Sequence, residues 1–171
     1  NEFGYMGSKE MQTPNIDALT SEGVVFTDAH VAATVSSPSR ACLITGRYGL
    51  RFGFVCKLSD RTNGLPLEEE TIAEVFKTNG YRTAAIGKWH LGSRDEQHPN
   101  NRGFDLFYGM KAGGRDYFYN EKKSDRPGDE RNLLLNDRQV KFEKYLTDAF
   151  SEKAVEFINE SSQPFMMYLA Y

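Results

Sequence analysis

The chain of 171 residues has little of what marks several large classes of protein. Its two cysteines are too few for a disulfide framework, and neither has the spacing of metal ligands. No apolar run approaches the roughly 20 residues of a membrane-spanning helix, so we expect no membrane span. No basic segment followed by an apolar one opens the chain either. The net charge of −3 gives no reason to expect a nucleic acid or an anionic membrane as partner.

What the sequence does contain is an alternation of helical and extended patterns. The helical patterns cover residues 16–22, 71–79 and 148–159, and the extended ones cover residues 24–26, 29–35, 81–86 and 165–171. The final run is apolar on both faces, which predicts a strand buried inside a parallel sheet. The alternation as a whole predicts an α/β fold with a largely parallel sheet and flanking helices. Residues 111–135 lack a clear period and are interpreted as a long loop or a small irregular hairpin.

Two of the predicted helices have recognisable inner faces. The inner face of residues 71–79 is predicted to hold Ile72, Val75 and Phe76. In residues 148–159, Thr147 is predicted to cap the helix. The predicted inner face of that helix consists of Phe150, Ala154, Phe157 and Ile158.

Residues 35–47 concentrate polar side chains where a helix is expected to begin. Ser36 or Ser37 can cap that helix, and Gly46 suits its end, where a positive φ is common. Ser36 and Arg40 are four residues apart, so their side chains can share one face. The partial positive charge of the helix N-terminus lies at the same place. A hydroxyl, a guanidinium and a helix end together indicate an oxyanion site, although a solvated arginine is the commoner meaning of such spacing.

A second group of polar side chains follows the strand predicted over residues 81–86. Lys88 and His90 are two residues apart in backbone expected to be extended, so both can point the same way. Sites on open α/β sheets lie beyond the carboxyl ends of strands. Lysine binds dianions as a compact charge, and histidine exchanges protons near neutral pH. The alternative interpretation is that Trp89 anchors the strand end and that Lys88 and His90 are merely solvated polar residues beside it.

Both stretches resemble the signatures of the type I sulfatase family. The first resembles the pattern Cys or Ser, x, Pro-Ser-Arg-x-x-Leu-x-Thr-Gly-Arg, with matches at Ser36, Pro38, Ser39, Arg40, Leu43, Thr45, Gly46 and Arg47. Gly87-Lys88-Trp89-His90-Leu91-Gly92 resembles the second signature of that family. Residues 13–23, 102–109 and 164–171 are similar to other family segments.

The resemblance implies an alkaline-phosphatase-like sulfatase fold, of which residues 1–171 would be an N-terminal part of the catalytic domain, apparently truncated at both ends. It also implies that Ser36 is oxidised after translation to Cα-formylglycine. Serine at this position is typical of the bacterial serine-type branch, so the implied maturation enzyme is a radical-SAM formylglycine maturase acting on Ser36. An engineered replacement of a natural cysteine by serine at position 36 would give the same pattern.

The resemblance also implies a role for each site residue. One hydroxyl of the formylglycine gem-diol at position 36 would attack sulfur, and the other would later expel sulfate. Arg40 would stabilise the gem-diol, His90 would assist removal of a proton from its second hydroxyl, and Lys88 would contact formylglycine and sulfate. Residue 36 would also bind Ca²⁺, whose remaining ligands would lie outside this chain.

The expected substrate is a sulfate ester of a small molecule or, more specifically, of a glycan. His98 and Arg102 flank a loop near the expected cleft and are candidate substrate-binding residues. Family resemblance implies a periplasmic or secreted protein. Two alternatives stay open: a phosphonate or phosphate monoesterase of the alkaline phosphatase superfamily, and a non-catalytic homologue in which Ser36 is unmodified.

Overall fold

A computed structural model of the protein describes residues 2–54, 64–119 and 128–171. The chain divides into two compact units, Asn1–Val31 and Ala32–Tyr171. In the first unit a 3₁₀ helix covers Gly4–Met6 and helix α1 covers Pro14–Glu22. Helix α1 begins two residues earlier than predicted, because a proline at the first helical position already has helical φ and needs no partner for an N–H.

Within its described residues, the second unit contains three further helices and five strands. The helices are α2 (Ser36–Thr45), α3 (Ile72–Thr78) and α4 (Leu146–Glu160), and 3₁₀ turns cover Gly49–Phe52, Asp95–Gln97 and Pro99–Arg102. The strands are β1 (Arg82–Lys88), β2 (Leu106–Met110), β3 (Leu134–Leu135), β4 (Arg138–Gln139) and β5 (Phe165–Ala170). The extended patterns over residues 24–26 and 29–35 form no strand, so that prediction is wrong.

The strands form one sheet in the order β4-β3-β2-β1-β5. Strands β2 and β5 both run parallel to β1, while β3 and β4 continue the sheet antiparallel beyond β2. The predicted α/β fold with a largely parallel sheet is therefore confirmed. Strand β5 is parallel as predicted, but it lies at an edge of this sheet with half-buried side chains instead of inside it. A short hairpin, β3–β4, does form, but only β3 lies within residues 111–135 and β4 lies beyond that range. Residues 120–127 are outside the described part.

Helices cover both faces of the sheet. Because side chains alternate along a strand, Ala85 of β1 points to one face and Ile86 to the other. The core around Ala85 includes Ala41 of α2 and Ala73 of α3. The core around Ile86 includes Phe150 and other apolar residues of α4. The hydrophobic effect thus holds the sheet between two helical layers, with α2 and the ends of the parallel strands brought into one region.

The starts of helices α3 and α4 differ from the sequence predictions. Helix α3 begins with a complete capping box, in which Glu74 N donates to Thr71 Oγ1 and Thr71 N donates to a Glu74 carboxylate oxygen. Helix α4 begins at Leu146, so Thr147 is inside it and does not cap it. Its buried face contains Leu146, Phe150, Ala154 and Phe157, whereas the predicted Ile158 is 41% exposed.

Among the residues that the structure describes, no helix is both long enough and apolar enough to cross a membrane.

Candidate active site

Ser36 is the first residue of α2, and its side chain does not act as a helix cap. Val35 occupies the N-cap position, and no side chain caps the helix there, so the predicted capping by Ser36 or Ser37 is wrong. The Ser36 hydroxyl instead accepts a hydrogen bond of 3.1 Å from Arg40 Nε, one turn along the helix. The predicted shared face is therefore confirmed, and Gly46 ends the helix with a φ of 65° as expected.

Arg40 connects three separate parts of the chain. Its Nε donates to Ser36, while its Nη1 donates to the carbonyl of Lys88 (3.0 Å) and to the hydroxyl of Tyr168 (2.6 Å). These contacts join α2 to the ends of β1 and β5. Burial raises the pKa of Tyr168, and the charge and hydrogen bond of Arg40 oppose that rise. With three acceptors around it, the guanidinium has a fixed direction and presents Nε to the oxygen of residue 36.

His90 reaches Ser36 from a backbone that is not extended, contrary to the sequence prediction. Its φ is 57°, and its N–H donates to the carbonyl of Lys111. The adjacent Trp89 is buried and donates from its indole to the carbonyl of Gln97, which anchors this turn. The turn directs the imidazole toward α2, where Nδ1 lies 3.3 Å from Ser36 Oγ and 3.1 Å from the hydroxyl of Ser37.

These contacts suit transfer of a proton away from the oxygen on residue 36. Arginine can only donate, so Ser36 Oγ accepts from Arg40 and is left with its own proton to donate. The imidazole nitrogen at 3.3 Å can accept that proton when it carries no hydrogen. The geometry therefore places a cationic donor and a potential base on the same oxygen.

Ser36 and His90 face a cavity of about 460 Å³. Its walls are formed by Val35, Ser36, Ser37, Lys88, His90, Ala112, Gly113, Gly114 and Arg131. Its charged lining residues, within the described part of the chain, are Lys88 and Arg131, and no carboxylate is among the lining residues, although Asp129 pairs with Arg131 from outside the lining. Such a lining favours an anion. All four residues named from the two signatures thus meet in one region, although Arg40 lies behind the wall.

The two candidate substrate-binding residues lie elsewhere. Arg102 is 2% exposed and donates to Glu74 and to the carbonyls of Pro66 and Glu69, which makes it part of the packing under α3. His98 packs edge-on against the ring of Phe107, and burial lowers its pKa. Neither side chain lines the cavity. The structure therefore does not support the prediction that they meet the substrate there.

Three polar residues of the site were not singled out from the sequence. Ser37 contacts His90, Tyr168 contacts Arg40, and Arg131 lines the cavity. Only Ser37 had a usable signal, since it adjoins Ser36. Tyr168 and Arg131 reach the site through tertiary structure, which no local pattern reports.

The protonation of Lys88 gives a testable prediction. Burial, and then the nearby charge of Arg40, lower the pKa of Lys88, so its charged form costs stability in the folded protein. We expect Lys88→Met to keep or raise the melting temperature at pH 7. The difference from the unchanged protein should shrink as the pH rises toward the unfolded lysine pKa of about 10.4, because the folded lysine is then already neutral.

Differential scanning calorimetry at pH 7 and pH 10 measures this effect. Lys144→Met is the matched control, because the ion pair with Glu152 raises the pKa of the exposed Lys144, and its removal should not stabilise the protein. A clear drop in melting temperature for Lys88→Met at pH 7 would contradict the prediction.

With its cation-lined cavity beside a hydroxyl, the site has the composition of an anion-binding site on an α/β scaffold. The family model for sulfatases matches residues 1–171, and the chain belongs to the sulfatase family. The sequence resemblance to sulfatases is thereby confirmed. Among curated relatives, the chain is similar to the uncharacterized sulfatase YdeN of Escherichia coli (strain K12), with 36% identity over 188 residues, covering 95% of this chain and 32% of YdeN.

Solved structures show the same fold. Ps i-CgsB in complex with k-i-k-neocarrahexaose is 40% identical with a TM-score of 0.88, over 99% of this chain and 41% of that one. BT4656 in complex with its substrate D-glucosamine-2-N,6-O-disulfate is 27% identical with a TM-score of 0.74, over 97% of this chain and 30% of that one. The chain spans about a third of the length of the curated relatives.

Proposed function

We propose that the complete protein hydrolyses sulfate esters of a carbohydrate, and that residue 36 carries the reacting group. The observation that carries this proposal is that Ser36 Oγ contacts both Arg40 and His90 at a cavity whose charged lining residues are cationic. Membership of the sulfatase family supports the reaction type. The disulfated sugar that is the substrate of BT4656 supports the substrate class.

The proposed maturation of Ser36 to formylglycine fits the surroundings of its side chain. When present, the hydrated aldehyde supplies two hydroxyls, one as nucleophile and one for release of sulfate. Arg40 then donates to an oxygen at the position of Ser36 Oγ, and His90 holds or removes a proton there. Lys88, on the same wall, binds the sulfuryl oxygens by its charge. A formylglycine maturase acting on Ser36 is part of this proposal.

The described residues do not by themselves build the calcium site that the family resemblance implies. Calcium takes six to eight oxygen ligands, and Ser36 offers one. No three residues of the His, Cys, Asp and Glu types gather as a possible metal site in residues 2–54, 64–119 and 128–171. No step is therefore assigned to the ion here.

In our proposal these residues form the N-terminal part of a larger sulfatase catalytic domain, which supplies the other calcium ligands from outside the chain. The match to about a third of the relatives' length supports this. A periplasmic or secreted location belongs to the same proposal.

A second function has one observation in its favour. Unmodified Ser36 already lies 3.3 Å from an imidazole nitrogen, and a hydroxyl activated by a base can attack phosphorus without any maturation. A phosphate or phosphonate monoesterase would use the same cationic cavity. The two functions differ in the preferred ester, and the monoesterase does not require maturation of residue 36.

Two measurements on the complete protein decide between them. The peptide containing residue 36 should be lighter by about 2 Da than its serine form, because formylglycine formation removes two hydrogens. The same preparation should hydrolyse 4-nitrophenyl sulfate faster than the phosphate or phosphonate ester, and Ser36→Ala should abolish the reaction. Ser151→Ala on α4 is the serine control, because Ser151 contacts the carbonyl of Thr147 far along the chain from the site and should leave the rate unchanged.

Each other outcome has a definite meaning. A preference for phosphorus esters, whether or not residue 36 is modified, would replace the proposed function by the monoesterase. An unmodified Ser36 with no ester hydrolysed would identify a non-catalytic homologue.

A further inference from the structure

Arg131 lies on the wall of the same cavity as Ser36, and a carboxylate holds its direction. Asp129 accepts from Arg131 Nε (3.0 Å) and Nη2 (2.6 Å), and also from the backbone N–H of Arg131. A guanidinium held at two nitrogens by one carboxylate is planar and fixed. Arg131 is therefore oriented before any ligand arrives, unlike an ordinary surface arginine.

Backbone hydrogen bonds define where Arg131 lies relative to His90. The N–H of His90 donates to the carbonyl of Lys111, and the next residue, Ala112, donates to the carbonyl of Glu130. The backbone beside Arg131 is thus two hydrogen-bonded steps from that of His90. Neighbouring hydrogen-bonded backbones lie about 4.8 Å apart, so the backbones at His90 and beside Arg131 are about 10 Å apart. One sugar ring with its linkage can span that distance.

The wall between His90 and Arg131 contains residues without side chains. A Cβ at Gly113 would come within 2.8 Å of the His90 ring, and a Cβ at Gly114 would meet nothing within 4 Å. Both glycines line the cavity. The wall is therefore tightly packed at Gly113, against His90, and open at Gly114, where the cavity can take part of a ligand.

We propose that Arg131 forms a second anion subsite, which binds a carboxylate or a second sulfate carried by the same carbohydrate as the ester at residue 36. The inference rests on the proposed function and narrows the substrate class to sugars with at least two anionic groups. Among the described residues, Asp129 engages two of the five N–H groups of the guanidinium, so three can donate to a ligand. Arginine donors match the oxygens of either anion in a paired arrangement.

Inhibition of 4-nitrophenyl sulfate hydrolysis by the complete protein tests the subsite without needing the natural substrate. The probes are inorganic sulfate, which carries one anionic group, D-glucosamine-2-N,6-O-disulfate, and a sulfated glucuronic acid. We expect Arg131→Gln to weaken binding of at least one of the two sugars by about 10-fold to 100-fold, the loss of a charge-assisted pair. Inhibition by inorganic sulfate should change by less than about 3-fold. The sugar that loses affinity shows whether the second anion is a sulfate or a carboxylate.

Two further variants separate binding from folding. Asp129→Asn keeps Arg131 but weakens its orientation, so the loss for the same sugar should be smaller than in Arg131→Gln. Arg138→Gln, an exposed arginine on β4 that does not line the cavity, should leave all inhibition constants unchanged. Equal effects of Arg131→Gln on inorganic sulfate and on both sugars, or no effect on any probe, would overturn the subsite.

If the proposed function is wrong, the unchanged protein will not hydrolyse 4-nitrophenyl sulfate, which is a different result from loss of the subsite. The subsite is then tested by calorimetric titration of the same three probes into the unchanged protein and Arg131→Gln. A loss confined to a sugar supports the subsite, and identical titrations overturn it.

Discussion

Arg40→Gln is expected to lower kcat toward 4-nitrophenyl sulfate by about 10²-fold to 10³-fold in the complete protein, the usual cost of one oriented donor at a reacting centre. The glutamine can place an uncharged N–H near the position of Nε, but it loses the positive charge and the contacts of Nη1 with Lys88 and Tyr168 that fix the direction of this donor. Because this donor acts where charge develops, KM should change much less than kcat. Steady-state kinetics on the matured protein, with residue 36 verified by mass, measures both values.

The matched control for Arg40 is Arg94→Gln. Arg94 belongs to the same unit, is about half exposed and forms a surface ion pair with Glu96 at 3.5 Å. Its substitution should leave kcat within about 2-fold, since surface pairs contribute little. A loss of less than 10-fold for Arg40→Gln would show that Arg40 does not act on the reacting oxygen.

Gly87→Ala is expected to lower the free energy of unfolding by about 3 kcal/mol or more, one of the largest effects of any single methyl group in this fold. Gly87 has a φ of 101°, and a Cβ there would lie 2.0 Å from the carbonyl oxygen of Ala170. That oxygen belongs to the backbone of β5, so only a separation of β1 from β5 can relieve the contact. The same separation would draw Tyr168 away from Arg40, so activity should fall with stability.

Denaturant unfolding of the complete protein and its variants measures this effect. Gly114→Ala is the control, because a Cβ at Gly114 meets nothing within 4 Å, and it should change the free energy of unfolding by about 0.5 kcal/mol at most. Coincident unfolding curves for Gly87→Ala and the unchanged protein would contradict the contact between β1 and β5.

The sequence predicts elements well where a single periodic pattern controls burial. Helix α4 and strand β5 are found within a few residues, because each has a long apolar pattern. The predicted inner face of α3 is only partly correct, however: Ala73 is buried and Phe76 is half-buried, while Ile72 and Val75 are each 42% exposed. The backbone of Gly103 packs directly on the backbone of Ala73 and Glu74 at the start of α3, so a Cβ at position 103 would clash there. Close backbone contact selects a small side chain, which a pattern of large apolar residues does not show.

The contacts of the candidate site are likewise of two kinds: some follow from local spacing in the sequence, and others join distant segments. The Ser36–Arg40 contact follows from helical spacing, and the meeting of Lys88 and His90 at the end of β1 follows from the architecture of parallel sheets. The left-handed φ of His90 and the roles of Tyr168 and Arg131 depend on tertiary packing between distant segments. No spacing rule reports such contacts.

The wide separation of the partners of Arg40 also sets an order of events in biosynthesis. Tyr168 is 128 positions beyond Arg40 in the chain. At about 5 to 20 residues per second, the ribosome adds that much polypeptide in roughly 6 to 26 seconds. Throughout this interval the nascent segment around Ser36 lacks the contact between Arg40 and Tyr168, which forms only after β5 has been translated and has docked.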